Sequence, residues 1–106
     1  MIHQTTAADD AGWRPTPPSW AAMSVMSLLL RRGGSMRIEP LVPACHLSGA
    51  DLAAALEELH ERTWIDIVWR SDRARRRESL PENFRDVRRI VTTRCGRTFY
   101  PRYWVY

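Results

Sequence analysis

Arginine is the side chain best equipped for chemistry in this sequence: there are sixteen, with no lysine at all. A GC-rich genome alone could produce that bias. The planar five-donor guanidinium nonetheless suits phosphate and carboxylate equally well. Residues 70–106 hold eleven Arg and four acids, a balance of +7, while residues 1–69 hold five Arg and eight acids, a balance of −3. Such segregation is the footprint of a polyanion binder, or of a tail that meets an acidic partner. Arg70, Arg73, Arg75, Arg76 and Arg77 form one cluster, and Arg85, Arg88, Arg89, Arg94 and Arg97 form the next. An Arg-rich loop can lie along phosphates or enter a narrow minor groove. The plainer reading is a solvated basic face, but Asp72, Glu78, Glu82 and Asp86 are too few to neutralise eleven Arg.

Other reactive residues carry less. Cys45, His46, His60 and Cys95 do not match a zinc-ligand spacing, and neither cysteine belongs to a CxxC pair. Cys45 reads as a small buried apolar residue, and two unframed cysteines suit a reducing compartment. No nucleophile–base or metal constellation emerges, so the expectation is a non-enzyme without a cofactor. The aromatic run Phe99 to Tyr106 could stack on unpaired bases. Closure of the core or a dimer seam is the favoured reading.

The elements that must position these residues fit one core, because 106 residues suffice for one and not two. Residues 1–18, with Pro15, Pro17 and Pro18, read as a loose arm in which Trp13 is the one residue able to dock back, and residues 19–106 as the domain. Ser19 caps a helix from about Trp20 to Arg32, with Trp20, Met23, Met26, Leu29 and Leu30 as its apolar stripe and Gly33-Gly34 as its stop. The mostly apolar run Trp20–Leu30, eleven residues long, is too short to span a bilayer. Asp9 and Asp10 before them, and Arg31-Arg32-Gly33-Gly34 after, do not fit a signal peptide, so the expected location is cytoplasmic, with no membrane partner.

Met36–Ile38 could add an edge strand. Pro40 suits the first position of a short helix through Cys45. Ser48, with Asp51 three residues on, opens the clearest helix, striped by Leu52, Ala55, Leu56 and Leu59. Alternation over Trp64–Arg70, with Ile65, Ile67 and Trp69 on one side, predicts a strand. Ser79–Phe84 could form one helical turn. Segments 88–94 and 97–105 around Cys95-Gly96 predict a second hairpin. A helix over Leu80–Val91, striped by Leu80, Phe84, Val87 and Val91, is the rival.

The stretch from Ile38 to Ile67 places Leu41 six residues before Leu47, then the turn Cys45-His46-Leu47-Ser48, then Leu52, Leu56 and Leu59, then Arg62-Thr63-Trp64-Ile65 leading into a strand. In spacing here, and in element order over residues 20–93, the chain resembles the winged helix-turn-helix superfamily, broadly the bacterial MarR and PadR regulators. The resemblance implies an α+β fold of three N-terminal helices followed by a small antiparallel sheet, the wing. It also implies a transcriptional regulator that binds double-stranded DNA, with a homodimer as its natural form. In that family the helix opening at Ser48 would enter the major groove. Its outward positions here are Gly49, Ala50, Asp51, Ala53, Ala54, Glu57, Glu58 and Glu61, which offer no base-reading Arg, Asn or Gln. Contact would then fall to Ser48 and to Arg70, Arg73, Arg75, Arg76, Arg77, Arg88, Arg89, Arg94 and Arg97. The alternative is a winged-helix interaction module whose acidic helix 48–62 docks a protein, as a subunit of a larger complex or as a phage protein on a host factor.

Overall fold

Ser19 starts the first helix, as its sequence position predicts: its hydroxyl accepts from the Ala22 N–H at 3.2 Å. The computed structural model describes residues 16–70, 84 and 86–103. Helix α1 runs Trp20–Arg31. Gly33, at φ 84, lets the chain turn back, so that Gly34 N–H reaches the Leu29 carbonyl at 2.8 Å and Gly33 N–H the Leu30 carbonyl at 3.3 Å. The buried face of α1 is Ala22, Val25, Met26, Leu28 and Leu29, which departs from the predicted stripe. Trp20 is 76% exposed. The helix is apolar nearly all round, so periodicity alone did not select its inner face. Small Ala22 and Val25 let α3 approach closely, and the large Trp20 is left outside.

The chain then forms β1 (Ser35–Arg37), α2 (Ile38–Cys45) and α3 (Gly49–Glu61). The order of three helices followed by a sheet is therefore corrected: a strand stands between the first and second helices. The edge strand expected at Met36–Ile38 forms one residue earlier, as Ser35–Arg37, and pairs with a segment far along the chain. Helix α2 begins two residues before Pro40, which occupies the third position, where no intrahelical donor is needed. Pro43 sits inside the helix and forgoes one bond, in keeping with a short helix.

Helix α3 follows the sequence closely. Ser48 Oγ accepts from Asp51 N–H at 3.1 Å, and Leu52, Ala55, Leu56 and Leu59 are buried. Ala53, read as outward, is buried with them. At the C-terminus, Trp64 N–H reaches the Leu59 carbonyl and Thr63 N–H the His60 carbonyl, each at 3.0 Å. This is the turn glycine usually makes, here with Thr63 at φ 62.

Strands β2 (Ile65–Trp69) and β3 (Val87–Thr92) complete a three-stranded antiparallel sheet in the order β1-β3-β2. Met36, Ile90 and Ile67 share one register level, and Arg37, Arg89 and Val68 the next. Alternation then sends Met36, Ile90, Ile65 and Ile67 inward and Arg37, Arg89, Asp66 and Val68 outward. The core beneath the sheet is built on Trp64, Met26, Leu29, Leu41, Leu52, Leu56, Leu59, Ile65 and Ile90.

The second predicted hairpin does not form. Its first arm corresponds to β3, but its second is helical: α4 (Arg94–Phe99), then a 3-10 turn over Tyr100–Tyr103. Thr93 Oγ1 accepts from Gly96 N–H at 3.0 Å and starts the helix. Gly96 serves close approach instead of a reversal: a Cβ there would lie 2.3 Å from the Trp64 carbonyl oxygen. The rival helix over 80–91 is also corrected, since Val87–Val91 lie in β3, where a β-branched run is favoured. The suggested turn at Ser79–Phe84 lies outside the described residues except for Phe84. Among the described residues no helix is long and apolar enough to cross a membrane.

Candidate nucleic-acid interface

The sheet concentrates cations at one end. Strand β2 leaves the sheet at Trp69, opposite Val87 at the start of β3, and Arg70 N–H closes that end by donating to the Asp86 carbonyl at 2.8 Å. Phe84 returns the chain to the core: it is buried, at φ 55, and its carbonyl accepts from Val87 N–H at 3.1 Å. Arg70 and Arg88 are exposed at this end. Arg89 lies opposite Arg37 on the outer face and donates from Nη1 to Ser35 Oγ at 2.8 Å. Arg37 was missed by the sequence reading. No local signal marks it, because its neighbours are set by the pairing of β1 with β3.

Glu39, in the first turn of α2, is the acid that meets this group. Arg37 Nε lies 3.6 Å from its carboxylate, and Arg70 Nη2 donates to its Oε2. Its own backbone N–H, with Arg70 and Arg37, holds the Glu39 carboxyl below its ordinary range, against a smaller opposing effect of desolvation. Two acids, Glu39 and Asp86, against Arg37, Arg70, Arg88 and Arg89 leave a net positive charge at the end of the sheet, which is where residues 71–83 connect the strands. Arg73, Arg75, Arg76 and Arg77 belong to that connection and lie outside the described residues.

The other predicted contacts lie elsewhere. Arg94 and Arg97 sit on α4, past the far end of β3, a strand rise of about 17 Å from Val87. Arg97 Nη1 is used within the fold, donating to the Thr92 carbonyl at 3.0 Å and Thr92 Oγ1 at 3.3 Å. Ser48 caps α3, at the end of that helix away from the turn into β2.

No protein-family model, curated protein or solved structure shows a significant match to the chain. Assignment of the surface therefore rests on its own chemistry.

The exposed face of α3 carries Asp51, Glu57, His60 and Glu61. Glu58, read as part of that face, points instead at the start of α1. Its Oε2 accepts from Ser19 N–H at 2.8 Å and its Oε1 from the Ser19 hydroxyl at 2.7 Å. A carboxylate there satisfies an end-of-helix donor and sits favourably at the positive pole of α1.

The aromatic tail closes the core where it is described. Phe99, Tyr100 and Tyr103 are buried, and the Tyr103 ring lies 5.7 Å from that of Trp64. Arg62, also buried, reaches back along the chain, donating from Nη2 to the Thr16 carbonyl at 2.8 Å. Thr16 and Pro18, within the stretch read as an arm, are thus placed; Pro18 is buried, whereas Trp13 lies outside the described residues. Burial raises the Cys45 thiol above its ordinary pKa and keeps it protonated. Among the described residues no three of His, Cys, Asp or Glu gather to hold a metal ion.

Proposed function

We propose that this chain is a winged helix-turn-helix protein that binds double-stranded DNA through the arginine-rich end of its sheet and serves as a transcriptional regulator. The observation that carries the reading is the convergence of Arg37, Arg70, Arg88 and Arg89 where the β2–β3 connection leaves the sheet. Guanidiniums on a rigid strand end, with four more in the adjoining segment, match a run of phosphates. The succession α2, turn, α3, β2, β3, with β1 paired to β3, supports the winged-helix part of the proposal.

The acidic face of α3 offers phosphate only repulsion and bases few partners. Affinity therefore comes from backbone contact, with sequence preference coming mostly from groove shape. The test is duplex binding across a salt series. The logarithm of affinity should fall with log salt at about −0.9 per phosphate contact, and Arg70→Ala, Arg88→Ala and Arg89→Ala should each flatten that slope by about one unit. Wild-type protein with no duplex affinity at low salt would sink the proposal.

The exposed carboxylates Asp51, Glu57 and Glu61 favour a second reading, a module that docks a basic protein surface on α3. Glu57→Gln separates the two: it leaves DNA binding unchanged or improved, but weakens a protein complex.

A further inference from the structure

The far end of the sheet carries a second cationic group that neither reading uses. After Asp86 the sequence holds five Arg and no acid. Arg88 and Arg89 belong to the end already described. Arg94 and Arg97 are exposed on α4, and Arg102 is exposed on the 3-10 turn that follows. Three positions apart on a helix, Arg94 and Arg97 are surface neighbours and repel each other. Among the described residues neither meets a carboxylate.

These arginines are firmly mounted. Gly96 lies against the Trp64 carbonyl with no room for a Cβ, and Thr93 Oγ1 accepts from the Gly96 N–H. Arg97 Nη1 is held by the Thr92 carbonyl at 3.0 Å. The Arg102 guanidinium lies 4.6 Å from the centre of the Phe99 ring. Phe99 and Tyr103 reach the core, so α4 and its turn pack on the helix side of the sheet. Their arginines are about 17 Å of strand away from the Val87 end, and off the outer face that carries Arg37 and Arg89.

We propose, resting on the DNA reading of the sheet end, that α4 and its turn form a second phosphate-binding site and that one chain bridges two duplexes. Guanidiniums fixed before binding lose little freedom when they meet phosphate. A polyanion at α4 also relieves the repulsion between Arg94 and Arg97. At the sheet end Glu39 and Asp86 offset part of the charge, whereas the segment from Val87 onward has no acid of its own. A duplex laid on the outer face at Arg37 and Arg89 leaves α4 uncovered, so filling both sites takes a second duplex.

The experiment fixes one short duplex to beads and supplies a second, fluorescent duplex of unrelated sequence in solution. Wild-type protein at low salt should carry the fluorescent duplex onto the beads, and added salt should release it. Arg94→Ala/Arg97→Ala should still bind a single duplex in fluorescence anisotropy but lose the capture. Arg94→Glu, at a position that makes no bond to the described fold, should lose it too, whereas Arg94→Lys keeps the charge and should retain it. Circular dichroism of each variant confirms that lost capture is not a lost fold. Wild-type protein that binds one duplex and captures no second overturns the bridge and leaves the DNA reading standing. Capture unchanged by Arg94→Ala/Arg97→Ala and by Arg94→Glu also overturns it, because the second contact is then made elsewhere. No binding of either duplex at low salt overturns the bridge and the DNA reading together.

Discussion

Under the proposed DNA reading, Glu39 would compete with phosphate for Arg37 and Arg70, which it meets in the fold. Glu39→Gln is expected to raise duplex affinity several-fold and to steepen its salt dependence, measured by fluorescence anisotropy. The pH dependence has the same origin. Because the folded state holds Glu39 below the ordinary carboxylate range, its ion pairs persist through mild acid and are lost as pH falls through that lowered value. Binding should strengthen there, after other carboxylates have begun to protonate. None of this was legible in the sequence. Arg70 and Glu39 are thirty-one positions apart, and only the docking of α2 beside the sheet brings them together. The cluster at Arg70, Arg88 and Arg89 was legible as charge density, while the separation of Arg94 and Arg97 from it was not, since it depends on which way the chain turns after β3.

At the scale of the element, legibility followed amphipathic contrast. Helix α3 has small and charged residues opposite its leucines, and its boundaries, cap and inner face were readable. Helix α1 lacks that contrast, so its extent was readable and its orientation was not. A bond across elements, from Ser19 to Glu58 of α3, ties down its N-terminus. Ser19→Ala should cost about 1 kcal/mol in chemical denaturation, and Glu58→Gln should also destabilise. The double variant should cost less than the two together, because both changes act on the bond from the Ser19 hydroxyl to Glu58, while the bond from the Ser19 backbone N–H survives Ser19→Ala. Additive losses would show that the cap and the carboxylate act independently. The segment after β3 misled for a different reason: a glycine beside β-branched and aromatic residues resembles a turn between strands. Here Gly96 faces the Trp64 carbonyl. Gly96→Ala should destabilise by about 1–3 kcal/mol despite the better helix propensity of alanine, because the methyl group meets backbone. A stabilised variant in thermal melts would refute the contact.

For the molecule as a whole, charge is uneven along the chain, with a balance of −3 over residues 1–69 and +7 over residues 70–106. The cationic end repels itself, and a bound polyanion relieves that repulsion. A short duplex at a hundred times its dissociation constant should stabilise the fold by about 2.7 kcal/mol. The rise in melting temperature should disappear as salt is added. A rise indifferent to salt would place binding somewhere other than the arginines. Single-core architecture, the long helix at Ser48 and the strand after Trp64 could all be read from local pattern. An edge strand near Met36 could also be read, but its partner could not, because β1 and β3 lie far apart in the chain.

That partnership also imposes an order in time. Ser35 pairs with Val91 and Arg37 with Arg89, so β1 has no ladder to join until β3 has been synthesised. Trp64 likewise waits for Tyr103 to cover it. During synthesis the two helices α1 and α3 can meet early, but they enclose a core with one side still open. The sheet and its aromatic cover then close together. A nascent chain halted at residue 86 should remain sensitive to protease, and one extended past residue 103 should become resistant in a single step.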